Sequence, residues 1–271
     1  MTDRIAFIGG GNMASALIGG LLRQGVAPAA LQVIEPLAAT REALHRQHGV
    51  QAQPAAGDFL AQSSLVVWAV KPQVFREACR PVREHTRQAL HLSVAAGIRS
   101  DCIAAWLGTE RVVRAMPNTP ALVGRGITGL LARPAVDEAD RQRIARVVAP
   151  TGEMLWLSSE AQLDAVTALS GSGPAYVFYF LEAMREAGSA MGLGPEQAYQ
   201  LALATFSGAA ELARQSPEPP EVLRQRVTSP GGTTHAALCR LESDGVKAAF
   251  VGAMQAARQR AAELGDEFGR D

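Results

Sequence analysis

The hydrophobic positions of this chain change rhythm partway along. In the first half, short apolar runs at 5–8, 31–34, 65–70, 90–94 and 111–115 alternate with stretches whose apolar residues recur at helical spacing. Met13, Leu17 and Leu21 form one such face, and the helix expected over 38–48 stops at Gly49. Runs this short and continuous suit strands covered on both faces, as in a parallel sheet. Residues 127–131 and 153–157 read as further strands, with a helix over 137–148 between them. The alternation stops near Ser158. Beyond it the pattern is helical: 163–191, interrupted only by Gly171-Ser172-Gly173-Pro174, then 195–214, 221–227 and 236–264. An α/β domain over 1–158 followed by an all-helical domain over 159–271 is expected.

The first strand breaks into Gly9-Gly10-Gly11, and a helix opens at Asn12 and Met13. Gly9 permits the sharp turn, Gly11 leaves no Cβ between the backbone and a bound pyrophosphate, and Ala14 lets the helix pack closely on the strand. The free N–H groups and positive dipole end of that helix would face the phosphates. The second strand ends at Glu35, roughly 20 residues past the glycines, where a dinucleotide fold holds the adenosine ribose hydroxyls. Three later strand runs end in small loops: Ala69-Val70-Lys71-Pro72, Ala95-Ala96-Gly97 and Met116-Pro117-Asn118-Thr119-Pro120. In open parallel sheets ligands sit outside the carboxyl ends of the strands, so these loops and the glycine turn read as the rim of one site. Lys71 taken alone reads as a solvated loop charge.

Composition narrows the class further. At 271 residues and 48% apolar, the chain can bury a sizeable core. Its 26 basic and 26 acidic residues cancel without forming Lys/Arg blocks, so neither nucleic acid nor an anionic membrane is expected as a partner. Cys79, Cys102 and Cys239 are odd in number, far apart and not in metal-ligand spacing; no disulfide framework and no metal site are expected, and a reducing cytoplasm fits. Residues 1–4 run straight into the first strand and leave no room for a signal peptide. No apolar run approaches the ~20 residues that a membrane-spanning helix needs.

One helix of the second half is apolar on several faces. Tyr199, Ala202, Leu203 and Phe206 fall on one side, with Leu201, Ala204 and Gly208 on others, and a helix of that kind must be buried. A partner chain is the expected cover, giving an obligate dimer; burial within its own chain is the alternative. Between two helices stands Thr228-Ser229-Pro230-Gly231-Gly232-Thr233-Thr234-His235. Its glycines and threonines offer backbone N–H groups and hydroxyls within one turn, enough to hold a carboxylate or phosphate. The other reading is an ordinary helix N-cap by Thr233 or Thr234 after a glycine hinge, with His235 a plain first-turn residue.

Taken together, Phe7-Ile8-Gly9-Gly10-Gly11-Asn12-Met13, Val70-Lys71-Pro72, Ser93-Val94-Ala95-Ala96-Gly97, Arg114-Ala115-Met116-Pro117-Asn118-Thr119-Pro120, Leu169-Ser170-Gly171-Ser172-Gly173-Pro174-Ala175-Tyr176 and Ser229-Pro230-Gly231-Gly232-Thr233-Thr234 resemble pyrroline-5-carboxylate reductase, in order and almost end to end. The last two motifs are the specific ones, because generic dinucleotide domains lack them. The resemblance implies an N-terminal Rossmann-type dinucleotide-binding domain and an all-α dimerisation domain. It also implies NAD(P)H-dependent reduction of the cyclic imine Δ1-pyrroline-5-carboxylate to L-proline, the last step of proline biosynthesis. It places Gly9, Gly11, Asn12, Met13, Ala69, Val70, Lys71, Pro72, Ala95, Ala96 and Gly97 along the cofactor, and Asn118 with its loop by the nicotinamide. Ser229, Gly231, Gly232, Thr233 and Thr234 fall on the substrate carboxylate, with the Thr234 hydroxyl reaching the ring nitrogen. The resemblance further implies an active site built across a homodimer of interlocked helical domains, often assembled as rings of dimers.

NADPH or NADH is expected as cofactor. Glu35 should repel a 2′-phosphate, and Arg41 would compensate only if its loop folds back. A related two-domain hydroxyacid or imine reductase would carry a catalytic Lys on the first helix of the second domain, and 163–191 contains none. A non-enzymatic dinucleotide sensor, dimerising through the helices, gives no reason for the turn at 229–234.

Overall fold

The computed structural model describes residues 4–269, so most of the reading of the leading segment, on Met1, Thr2 and Asp3, lies outside the described residues. The chain forms two compact units. The first runs to Ser172 and takes in the chain again from Ala257; the second is Gly173–Ala256.

Among the described residues the first unit carries one sheet of eight strands, β1 (Ile5–Ile8), β2 (Leu31–Ile34), β3 (Ala52–Gln53), β4 (Leu65–Trp68), β5 (Leu90–Ser93), β6 (Val112–Met116), β7 (Gly126–Ala132) and β8 (Gly152–Leu157). Their spatial order is β3-β2-β1-β4-β5-β6-β7-β8. The first six are parallel, with α1 (Asn12–Arg23), α2 (Ala38–His48), α3 (Pro72–Thr86) and α4 (Ser100–Leu107) among the connections. This is the doubly wound arrangement, in which the direction of winding reverses between β1 and β4. Alternation along each strand feeds two cores. Ile5 and Phe7 join Leu17, Ile18, Val33, Leu65 and Leu90 on one face, while Ala6 and Ile8 join Val66, Trp68, Phe75 and Ile103 on the other.

The wholly parallel sheet suggested by the apolar runs changes direction at its end. β7 is antiparallel to β6 and parallel to β8, with α5 (Glu138–Val148) crossing between β7 and β8. The link from Met116 to Gly126 is too short for a parallel crossover, which takes about a dozen residues or more, so the chain can only turn back. β4 also stops at Trp68, which leaves Ala69 and Val70 in the loop.

The first unit continues through α6 (Glu160–Val166), whose N-cap Ser159 accepts a hydrogen bond from the Gln162 N–H, and through a π-type turn at Thr167–Gly171. The remaining helices are α7 (Gly173–Ala190), α8 (Pro195–Gln215), α9 (Pro220–Arg226), α10 (Thr233–Ser243) and α11 (Val246–Gly269). The single helix expected over 236–264 is therefore two helices. Gly245, at φ +66°, takes the left-handed conformation that ends α10 and lets the chain turn into α11.

In the second unit, Phe250 meets Tyr176 and Phe180 edge to face, with ring centroids 5.7 and 5.5 Å away. Little else is covered. On α8 only Ala198 and Ala202 are buried, while Tyr199, Leu201, Leu203 and Leu212 are exposed, Leu201 by 57% and Leu212 by 69%. Burial of this helix within its own chain is thus set aside. Among the described residues no helix is long and apolar enough to cross a membrane.

Candidate functional site

The rim expected from the loops forms along one edge of the sheet. Gly9 follows β1 with φ +97°, and a Cβ on it would stand 2.5 Å from the Ala69 carbonyl oxygen. Only glycine fits there, both for its backbone angle and for that approach. The Gly9 N–H donates to the Ile34 carbonyl (2.8 Å) and the Ala69 N–H to the Ile8 carbonyl (2.8 Å), so the ends of β1, β2 and β4 are laced together at the point where the winding reverses.

Gly11 is the opposite case: nothing lies within 4 Å of where its Cβ would be. The open space sits at the N-cap of α1, where no side chain caps the first-turn amides, so the first-turn N–H groups of Asn12 and Met13 lie at an uncapped positive end. That cradle fits a dinucleotide pyrophosphate, an anion small enough to come up to bare backbone. Lys71 is exposed at the N-cap of α3, followed by Pro72 at the first helical position, where its missing N–H costs nothing.

Past β5, Ala95 is buried and its N–H donates to the Ser93 hydroxyl at 3.3 Å, so that loop presents backbone rather than the Ala95 side chain. Gly97 has φ +76°, and a Cβ on it would meet the Leu264 Cβ at 3.2 Å and the Phe268 ring at about 3.4 Å. The returning end of α11 therefore backs the loop. Asn118 is already engaged: its Oδ1 accepts from the Ile127 N–H (3.0 Å), and its Nδ2 donates to the Ser170 hydroxyl (3.3 Å). Its side chain holds the loop after β6 against the π-type turn, where a Cβ on Gly171 would come within 2.4 Å of the Met116 methyl. Turns of this type occur often at functional sites.

Residues that sequence reasoning missed hold these loops in place. Arg114 on β6 is buried, 4% exposed, and pairs with Glu160 of α6. The other Glu160 oxygen accepts the Ser100 N–H (2.8 Å), which ties the loop after β5 to the same carboxylate. Burial pulls the Arg114 guanidinium below its ordinary range, and the Glu160 pairing opposes that shift. Arg99 reaches Asp164 (3.6 Å) and Asp266 (3.3 Å), adding a second link from this loop to α6 and α11. A charge at position 114, inside an otherwise apolar strand run, was the sequence signal that could have pointed to this cluster.

Glu35, 8% exposed, follows β2. Its Oε2 accepts the Gly10 N–H and its Oε1 the Leu37 N–H, both at 2.9 Å.

In the second unit, Ser229, Gly231, Gly232, Thr233 and Thr234 form one turn leading into α10. Gly231 lies at φ +73°, and the Gly232 N–H donates to the Ser229 carbonyl at 3.0 Å. The N-cap of α10 is Gly232, with no side-chain cap, so the reading in which Thr233 or Thr234 caps the helix does not hold. Thr233 and Thr234 are instead exposed first-turn residues at an uncapped positive end. His235 is exposed beside them and lies 3.8 Å from the Cys239 sulfur. Among the described residues no group of three or more His, Cys, Asp or Glu side chains is placed to hold a metal ion.

Comparison with known proteins adds to this geometry. Residues 160–264 match the family described as pyrroline-5-carboxylate reductase dimerisation, and residues 4–97 match one described as NADP oxidoreductase, coenzyme F420-dependent. The chain is 44% identical to a pyrroline-5-carboxylate reductase of Pseudomonas aeruginosa, covering 99% of both sequences, and 36% identical to the Escherichia coli protein of that name, over 97% and 99%. Among solved structures, a pyrroline-5-carboxylate reductase from Coxiella burnetii superimposes with a TM-score of 0.90 at 38% identity, covering 97% of this chain and 99% of that one. The Plasmodium falciparum pyrroline carboxylate reductase, solved with NADP bound, gives 0.86 at 27% identity, covering 97% and 98%.

Proposed function

We infer the reaction from one premise: the chain belongs to the pyrroline-5-carboxylate reductase family. It is an NAD(P)H-dependent oxidoreductase that reduces the C=N bond of Δ1-pyrroline-5-carboxylate and yields L-proline, the last step of proline biosynthesis. When bound, the reduced nicotinamide supplies the hydride, so the protein's part is to hold and orient.

The observation that carries the assignment of parts is the uncapped start of α10, bare backbone amides beside two threonine hydroxyls. We propose that Ser229, Gly231, Gly232, Thr233 and Thr234 hold the substrate carboxylate there, and that the Thr234 hydroxyl orients the ring nitrogen and hydrogen-bonds the developing amine. A protonated imine is already electrophilic, so no strong protein acid is required, and fixing the acceptor carbon supplies much of the rate. Gly9, Gly11, Asn12 and Met13 are assigned to the pyrophosphate and Glu35 to the adenosine ribose. Ala69, Val70, Lys71 and Pro72, with Ala95, Ala96 and Gly97, are assigned to the rim along the cofactor, and Asn118 to fixing the loop beside the nicotinamide.

Residues 1–158 serve as the dinucleotide-binding domain and 159–271 as the dimerisation and substrate domain; the family match over 160–264 supports that division, whereas the compact units divide at Ser172. The exposed apolar faces of α8 support a homodimer, and a larger ring of dimers is the finer form of the same proposal. A cytoplasmic location fits three free cysteines.

The test is oxidation of NADH or NADPH on adding Δ1-pyrroline-5-carboxylate, with proline identified as the product. Thr234→Ala should lower turnover at least tenfold, the scale of a lost hydrogen bond of roughly 1.5 kcal/mol. Unchanged kinetics in that variant would remove the hydroxyl from the mechanism.

A further inference from the structure

We propose that Glu35 makes this enzyme prefer NADH to NADPH, an inference that rests on the glycine turn holding a dinucleotide. An acidic residue at the end of β2 faces the adenosine ribose in folds of this kind. In a flexible loop such a side chain could swing aside for a 2′-phosphate. Here the residue is fastened at three points, two of them on the carboxylate. Its backbone N–H donates to the Gln53 carbonyl at 2.9 Å, its Oε2 accepts from Gly10 and its Oε1 accepts from Leu37.

Its stem is wedged as well. A Cβ on Gly10 would lie 3.3 Å from the Glu35 Cβ and Cγ and 2.6 Å from the Leu44 side chain, so the glycine turn is packed directly against the carboxylate's stem. Turning the carboxylate away would strip the Gly10 and Leu37 amides of their acceptors and loosen the turn assigned to the pyrophosphate. The negative charge is therefore a fixed part of the site. It can accept hydrogen bonds from ribose hydroxyls through its remaining lone pairs, but it repels a phosphate placed on the same carbon.

The side chains of the surrounding turn offer a phosphate little in exchange. Residues 36–39 are Pro, Leu, Ala and Ala, none with a side-chain donor, and the Leu37 side chain is exposed. The nearby cation is Arg41, and its Nη1 is already given to the carbonyls of Glu35 (2.9 Å) and Pro36 (2.6 Å). Arg41 thereby braces the turn from its own side, and among the described residues the Glu35 carboxylate has two backbone N–H partners and no cationic one.

Equilibrium binding separates this inference from the assignment beneath it. NADH, NADPH, ADP-ribose and 2′-phospho-ADP-ribose are titrated calorimetrically into the intact protein and into Glu35→Gln, Glu35→Ser and Arg41→Gln. The unaltered protein should bind NADH at least tenfold tighter than NADPH, with the same order for the two ADP-ribose probes. Glu35→Gln and Glu35→Ser should move the ratio at least tenfold toward the phosphorylated ligand. The ratio is the quantity to read, because loss of loop order weakens both ligands alike. Arg41→Gln should leave it unchanged. Equal or tighter NADPH binding by the unaltered protein, or a ratio that moves with Arg41 and not with Glu35, overturns the inference while leaving the cofactor site intact. Binding of none of the four would overturn the cofactor site and the inference with it.

Discussion

Mild acid should unfold the first unit sooner than its surface charges would, and the deepest-buried imidazole is a main cause. His91 lies in the middle of the sheet on β5, 1% exposed, between Trp68 and Thr86. The Trp68 Nε1–H donates to its Nδ1 at 3.0 Å, and its own Nε2–H donates to the Thr86 carbonyl at 3.2 Å. Both ring nitrogens are satisfied only while the ring is neutral, since a proton on Nδ1 would face the tryptophan donor. Burial is the main cause that lowers its pKa to about 4, with Arg111 adding to the shift and the Thr86 hydrogen bond opposing it.

An unfolded histidine titrates near 6.5, so between pH 6.5 and 4 the unfolded chain takes up a proton that the folded chain refuses, and stability falls as the pH falls. At about 1.4 kcal/mol per unit the whole window costs about 3 kcal/mol, of which about 2 kcal/mol is lost by pH 5. Above pH 6.5 the residue contributes no pH dependence. The assay is urea unfolding at pH 7.5, 6.0 and 5.0, at one protein concentration because association adds to apparent stability. His91→Gln keeps an acceptor and a donor but cannot titrate, so it should lose about 2 kcal/mol less than the parent protein between pH 7.5 and 5.0. Equal losses in the two proteins would refute the reasoning, whatever the variant's stability at neutral pH.

The two glycines of the first turn should fail in different ways. Gly9→Ala, with its Cβ driven to 2.5 Å from the Ala69 carbonyl at a positive φ, should lower the melting temperature sharply, whereas Gly11→Ala, with open space around it, should melt normally yet bind NADH at least tenfold more weakly. Equal melting temperatures for the two variants would contradict this. On α8, Leu201 and Leu212 lie three turns apart on one face and are both exposed; the double variant Leu201→Glu/Leu212→Glu should sediment as a monomer, and a retained dimer would place the interface elsewhere.

Much of the fold was legible because its signals are local. Strand lengths, the glycine turn at Gly9 to Gly11, the helix stop at Gly49 and the small loops after β4, β5 and β6 each depend on residues a few positions apart. Backbone sterics and the period of burial are written at that range. The loop chemistry also marked the strand ends along which the candidate rim forms, and the motifs at 169–176 and 229–234 marked the family. What escaped depended on partners distant in sequence. Glu35 was readable as an acid after β2, but only the folded chain brings its oxygens onto the Gly10 and Leu37 amides. That Gly232 rather than a threonine caps α10 was decided by the actual backbone angles at the turn. The return of α11 to Gly97, with Arg99 bridging 167 residues to Asp266, leaves no periodic mark, and neither does the clamp of Glu160 on Arg114 and Ser100. Sequence by itself determined most of the strands, the change from alternating to helical pattern near Ser158 and the family, because those follow from short-range preference and patterning, while the break between α10 and α11 and the reversal at β7 needed the folded chain. The tertiary structure alone decided which charges are pinned and which helix ends are left bare, because those contacts exist only once the intervening chain has closed around them.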